Sequence, residues 1–196
     1  MRTKTLDDSS QASDPGGIRL SHEKMRQFHP EMYAAGGFLG FLRRLSPLQK
    51  FWKIRAEEHL MHGDSRAALV VAVKPLIVAA YTDELDCVAL LQFPDSLVQQ
   101  YKLQLGTRLL TVNLYSRGGA LTGDLENGPA SHHRFCNFSP FIAEFLSDDT
   151  DRIERRKRGI GEAEWSRTLE LAKAYPKKFG KRFRDGRPLY CAKPAN

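Results

Sequence analysis

Three apolar runs between residues 67 and 93 constrain the fold of this chain more than any other feature. The runs are AALVVAV, LIVAAY and DCVALLQF, and the breaks between them are Lys74-Pro75 and the acidic segment TDEL. Their β-branched and aliphatic residues favour strands, and none of the runs has a polar face. A strand that is apolar on both faces must be covered on both sides. The sequence therefore predicts a central sheet with helices against its faces.

The segments on either side of these runs predict the remaining elements. The stretch TRLLTVNLY alternates polar residues with Leu110, Val112 and Leu114, which predicts a fourth strand with one polar face. Residues 20–62 have helical spacing, and both SPFIAEFL and EAEWSRTLELAKAY predict helices that follow the strands. Helices, then strands, then helices is the order of an α+β fold. We predict such a fold, with a mostly antiparallel sheet of about four strands covered by N-terminal and C-terminal helices.

The chain has the length of one domain, and its charge is distributed unevenly. The net charge is +7, and residues 173–196 contain eight basic residues against the single acid Asp185, so residues 1–172 are neutral. Residues 1–19 are polar and rich in Ser, Asp and Gly, which is typical of disorder. We predict a disordered N-terminal tail at 1–19, a single globular α+β domain at 20–172 and a basic C-terminal extension at 173–196.

Cysteine usage and hydropathy predict the compartment. Cys87, Cys136 and Cys191 are odd in number and widely spaced, which favours a reduced setting over a disulfide framework. The first residues lack the apolar segment of a secretory signal, and no apolar run approaches the roughly 18 residues that a membrane span needs. We predict an intracellular, cytoplasmic protein without a membrane span.

The acidic segment between the second and third strands has two interpretations. Asp83, Glu84 and Asp86 could hold Mg²⁺ or share a proton, or they could form the turn of a hairpin with their carboxylates in water. The segment lacks glycine and suits a loop of about four residues built on a type I turn. We interpret it as a turn, which becomes a site only if Asp124 in the loop 116–137, or the segment His132–Cys136, lies beside it.

Histidines and a cysteine form a second group of candidates. His132, His133 and Cys136 have the ligand types of a zinc site, and Cys136 with a histidine has those of a nucleophile and its base. Their spacings match no closed four-ligand motif. These three residues, with the acids of the turn, are the weak catalytic candidates, and we predict no metal and no cofactor.

The basic C-terminal extension carries the most specific functional signal. Lysine and arginine neutralise phosphates, and aromatic rings stack on bases. The predicted polyanion-binding residues are the cations of this extension and its phenylalanines: Lys177, Lys178, Lys181, Arg182, Arg184 and Arg187, with Phe179 and Phe183. We predict a non-enzymatic binding protein that contacts nucleic acid or another polyanion. Two alternatives remain open, a protein-interaction domain that uses the apolar helical face at 38–52 and binds a protein partner, and a small metal-dependent hydrolase.

Overall fold

A six-stranded mixed sheet forms the centre of the protein. The computed structural model describes residues 12–30, 33 and 47–194. In spatial order the strands run β5-β4-β1-β2-β3-β6, and neighbouring strands are antiparallel except for the parallel pair β3 and β6. The strand bounds are β1 Asp64–Val73, β2 Leu76–Thr82, β3 Cys87–Phe93, β4 Arg108–Ser116, β5 Asn137–Ile142 and β6 Arg184–Asp185.

Helices precede and follow the main strands, so the α+β class is confirmed. Their bounds are α1 His22–Phe28, α2 Pro47–His62, α3 Ser96–Gln100, α4 Thr150–Gly159 and α5 Glu162–Phe179, and a 3-10 turn spans Ala143–Phe145. The sheet is mostly antiparallel as predicted, but the predicted number of about four strands is too low, because the sheet has six strands, one pair of which is parallel. Within residues 12–30 and 47–194, no helix has the length and apolar character needed to cross a membrane.

The apolar runs pack on both of their faces. Ala79 and Leu90 are cross-strand partners, and both belong to a cluster that Ala172 and Tyr175 of α5 complete. The alternate residues of the same strands, such as Val78, face a larger cluster built with α1, α2 and the 3-10 turn. Burial on both sides explains why these strands carry no polar face.

The fifth strand occurs where the sequence predicts a helix. SPFIAEFL has Ser-Pro at its head, which resembles a helix start, but Ser139, Pro140 and Phe141 lie in β5. Pro140 pairs with Asn113 at the edge of the sheet. A proline is tolerated on an edge strand because a missing N–H there costs no bond to a further strand. The edge position therefore overrides the local helix signal.

Both ends of the described chain contact the central sheet and its helices. Gly16, within the segment assigned to the N-terminal tail, donates its N–H to Gly63 O at 2.9 Å, and Ile18 is fully buried. The boundary predicted at 172/173 falls inside α5, in which Tyr175 is buried. Beyond α5, β6 adds the sixth strand, and Cys191 is buried. Residues 173–194 therefore contribute buried side chains to the core while other residues of this range stay at the surface.

Candidate functional site

The acidic segment forms the hairpin turn between β2 and β3. Thr82 and Cys87 are the last paired residues of the two strands, and Asp86 N donates to Asp83 O at 3.2 Å across the turn. Asp86 has a φ of 46°, a left-handed conformation that aspartate tolerates better than most residues. The turn is thus built without glycine.

The expectation that these acids sit in water is wrong for Glu84 and Asp86, which are buried, whereas the Asp83 side chain stays 38% exposed. Each of the three acids pairs with an arginine from a different part of the chain. Asp83 bonds to Arg66 of β1. The Arg134 guanidinium donates to the two carboxylate oxygens of Glu84 at 2.6 and 2.9 Å, and Glu84 is only 7% exposed.

Asp86 forms the third pair of the turn, with Arg167 of α5. The guanidinium donates to the carboxylate at 2.9 and 3.1 Å, and Asp86 is only 3% exposed. Burial acts to raise the pKa of Asp86, but the hydrogen bonds from Arg167 and Ala130 N hold it below its usual value. The three carboxylates therefore face three separate cations rather than a shared ligand.

One end of the glycine-rich loop packs directly on this turn. Gly128 N donates to Leu85 O at 2.9 Å, and His132 N donates to Glu84 O at 3.1 Å. A Cβ at Gly128 would lie 2.2 Å from Asp86 O, so only glycine fits the contact. Asp124 of the same loop is elsewhere, in a buried pair with Arg184.

The histidine and cysteine candidates lie near the turn but point to separate partners. His132 Nδ1 is 3.4 Å from Glu84 Oε2, and His133 Nδ1 is 3.0 Å from the side-chain nitrogen of Asn127. The Cys136 thiol donates to Gly118 O at 2.7 Å. Across the described part of the chain, no three His, Cys, Asp or Glu residues are arranged to hold a metal ion.

A buried polar network lies beside the turn, and its central residue Asp64 is not among the candidates predicted from the sequence. Asp64 is 1% exposed and accepts hydrogen bonds from Tyr115 Oη at 3.2 Å and Asp14 N at 2.9 Å, and Arg66 lies 2.8 Å from its Oδ2. Arg66 also bonds to Asp83, which ties β1 to the turn.

The titration of this network reflects its burial. Burial raises the pKa of Asp64 to about 6, although Arg66 acts in the opposite direction. Burial also raises the pKa of Tyr115 well above its ordinary value. A carboxyl of this kind can exchange a proton near neutral pH. The sequence feature that could have identified this network is the pair Asp64 and Arg66. These residues are two positions apart on β1 and lie opposite Asn113 and Thr111 of β4.

Two of the predicted polyanion-binding arginines are engaged in structural contacts. Arg184 is fully buried and donates to Asp124 at 2.6 and 3.1 Å and to Phe138 O at 2.7 Å. Arg187 pairs with Asp185, two residues away. The buried guanidinium of Arg184 is therefore out of reach of a polyanion.

The phenylalanines of the same segment are half-buried. Phe179 and Phe183 pack against the cluster that includes Ile77 and Tyr175. The ring centroids of Phe179 and Tyr175 are 4.9 Å apart. Their main contacts are thus with the protein itself.

The remaining cations of the segment stay at the surface. Lys178 pairs with Glu126 at 2.7 Å, and Arg182 donates to Gly123 O at 2.6 Å. Lys173, Lys177 and Lys181 are exposed, and no acid of the described residues pairs with them. These three lysines are the cations best placed to contact an external anion.

The helical face predicted at 38–52 lies partly outside the described residues, which resume at residue 47. Phe51 and Trp52 of α2 are 41% and 36% exposed and contact each other edge to face at 5.5 Å. Ile54 and Met61 of the same helix are also more than a third exposed. The described part of α2 therefore presents apolar side chains to solvent.

The chain was compared with protein-family models, with curated protein sequences and with solved structures, and none of the three comparisons gave a match.

Proposed function

We propose that the protein is a non-enzymatic binding protein that contacts the phosphate backbone of nucleic acid. The contact surface is the α5 basic surface, which we define as Lys173, Lys177, Lys178, Lys181 and Arg182. The observation that carries the proposal is the set of three exposed lysines without an acidic partner among the described residues. Because their charge is not neutralised within the protein, it is available to an external polyanion.

The arrangement of these lysines supports a single contact surface. Lys173 and Lys177 are four residues apart on α5 and so lie on one face of the helix. Lys181 follows two residues after the helix ends at Phe179. Residues 171–183 contain five basic residues and no acid, so nothing within the segment offsets their charge.

The geometry favours phosphate contacts over base contacts. Phe179 and Phe183 are half-buried against the core cluster, so we assign the contact to the lysines rather than to rings stacking on bases. Binding by lysines alone depends on the charge of the nucleic acid and not on its base sequence, because phosphate contacts carry no base information. We therefore expect affinity that is independent of sequence and falls steeply with salt.

The test is a charge reversal of the three unpaired lysines. Fluorescence anisotropy with a labelled DNA duplex would compare the wild type with Lys173→Glu/Lys177→Glu/Lys181→Glu. Removing three phosphate contacts and adding three repulsive charges is expected to weaken binding at least about tenfold. Circular dichroism would confirm that the variant is folded.

The matched control is Lys74→Glu/Arg155→Glu/Arg158→Glu, which changes the net charge equally at three exposed cations outside the surface. It should retain most of the wild-type affinity. An equal loss in both variants would show that binding follows net charge alone and would contradict the proposal. Wild-type binding to heparin but not to DNA or RNA would assign the surface to another polyanion and overturn the nucleic-acid assignment.

A second candidate function, a protein-interaction surface on α2, is favoured by the exposure of Phe51, Trp52, Ile54 and Met61. Aromatic side chains at a surface are common anchors of protein interfaces. If this face binds a second copy, light scattering will give the mass of a dimer, and Trp52→Glu will give a monomer. A monomeric wild type that captures no protein in a pull-down would contradict this candidate.

A further inference from the structure

An apolar groove of about 390 Å³ runs between α5 and the sheet. Strands β1, β2 and β3 contribute aliphatic side chains to it, and α5 and the loop before β4 contribute others. The lining side chains that carry the argument are Val71, Ile77, Leu90, Leu105, Leu169 and Phe183. Its volume lies in the range of roughly 300–1,000 Å³ that small-molecule sites occupy.

Two large apolar side chains on the groove are left in water. Leu105 is 68% exposed and Leu169 is 39% exposed, and both line the groove. Exposed apolar surface that is concave and contiguous marks a binding site more often than isolated exposed residues do. A ligand that covers these side chains would gain the free energy of their removal from water.

The groove carries one charge. Lys173 is the charged residue among its described lining residues, and it is exposed without an acidic partner in the described part of the chain. No acid lines the groove in the described residues. An aliphatic lining with one cation is complementary to a ligand that has an apolar chain and one anionic group.

We propose that this groove binds an anionic amphiphile, an unbranched aliphatic carboxylate whose chain lies along the apolar lining and whose head group meets Lys173. A polyanion does not fit this groove, because its further charges would lie against aliphatic side chains. A protein partner would need roughly 1,200–2,000 Å² of buried surface, more than one small groove supplies. The groove shares Lys173 with the α5 basic surface, but its apolar lining is separate from Lys177 and Lys181, so the two proposals can be tested separately.

The first measurement is isothermal titration calorimetry with saturated fatty acids of increasing chain length, below their micelle concentrations. Affinity is expected to rise about two- to fourfold with each methylene and then to stop rising when the chain exceeds the groove. Alcohols of the same lengths should bind about fivefold more weakly, because they lack the charge that pairs with Lys173.

Two variants separate the apolar lining from the charge. Leu169→Asp places an anion on the lining and should weaken carboxylate binding at least about tenfold. Lys173→Gln should remove the difference between acid and alcohol while leaving alcohol affinity unchanged. The matched control is Lys177→Gln, one turn along α5 and outside the lining, which should leave carboxylate affinity within about twofold.

Three results would overturn the proposal. One is fatty-acid affinity that does not depend on chain length. Another is carboxylate binding that Leu169→Asp leaves unchanged in a folded protein. The last is a dimeric wild type that the same variant makes monomeric, because the groove would then hold a second copy. Weaker DNA binding in Lys177→Gln with unchanged fatty-acid binding would show that the two proposals stand separately.

Discussion

At the scale of single residues, Arg184 shows how a cation can be structural in a segment that looks like a binding tail. The sequence places it among seven other basic residues, and nothing local distinguishes it from Arg182 or Arg187. Its role depends on Asp124, sixty residues earlier, and on carbonyl groups of β5 and the C-terminal segment. Such long-range partners cannot be read from spacing.

The buried pair of Arg184 and Asp124 predicts a large loss of stability when one partner is removed. Arg184→Ala leaves a buried carboxylate without its cation, which costs about 3 to 5 kcal/mol in the free energy of unfolding. Urea denaturation would measure this loss. The control Arg187→Ala removes an exposed ion pair and should cost less than about 1 kcal/mol. Equal effects would show that Arg184 is not a buried structural cation.

Asp64 predicts a specific pH dependence of stability. Its pKa rises from 3.8 in the unfolded chain to about 6 in the folded protein, so the folded state favours the protonated form. The stability that this group contributes is present below the unfolded pKa and is lost as the pH rises through the folded pKa. The shift corresponds to about 3 kcal/mol.

Asp64→Asn removes this titration and tests it. Between about pH 4 and pH 7, the wild type should lose about 2 kcal/mol of stability relative to the variant, since part of the total is already lost at pH 4. The measurement is urea unfolding of both proteins across this range, because their difference cancels the other titrating groups. Parallel curves for the two proteins would contradict the assignment of a raised pKa to Asp64.

At the scale of elements, the sequence predicts the long apolar strands well and the short or atypical ones poorly. Burial on both faces determines the composition of β1, β2 and β3, so the pattern is visible locally. The two residues of β6 are too few for any period, and β5 carries the local signature of a helix start. Both edge strands are specified by their pairing partners.

In the candidate turn, too, the local structure is predictable from the sequence and the distant partners are not. Its hairpin is predictable, because two strand patterns flank a short acidic segment. Its arginine partners Arg66, Arg134 and Arg167 come from β1, the loop before β5 and α5, and no local pattern links them to the turn. The sequence raised the question of whether the segment His132–Cys136 lies beside the turn, and the contact between His132 N and Glu84 O answers it.

The contact between the turn and the glycine-rich loop predicts the effect of one methyl group. Gly128→Ala would place a Cβ against Asp86 O and force the two segments apart, at a cost of about 1 to 3 kcal/mol. Thermal unfolding would measure it. The control Gly159→Ala lies at the end of α4, where a Cβ meets nothing within 4 Å, and should leave stability unchanged or raised by up to about 1 kcal/mol. A stable Gly128→Ala protein would contradict the close contact.

Across the whole molecule, the sequence shows where the net charge lies, and the structure shows which of these charged side chains are buried, paired or exposed. All of the excess positive charge lies in residues 173–196. Within that segment, Arg184 is buried, Arg187 and Lys178 are paired, and Arg182 donates to Gly123 O. Four exposed lysines of the segment have no acidic partner in the described part of the chain: Lys173, Lys177 and Lys181 of the α5 basic surface, and Lys193. The segment therefore both completes the core and presents a charged face.

The salt dependence of DNA affinity measures how many phosphate contacts Lys173, Lys177 and Lys181 make. The logarithm of affinity falls linearly with the logarithm of salt concentration, and each phosphate contact adds about 0.9 to the magnitude of this slope. We predict that the magnitude of this slope is smaller by about 2 to 3 in Lys173→Glu/Lys177→Glu/Lys181→Glu than in the wild type. The control Lys74→Glu/Arg155→Glu/Arg158→Glu should keep the wild-type slope. Equal slopes for the wild type and the lysine variant would show that these lysines do not contact phosphates.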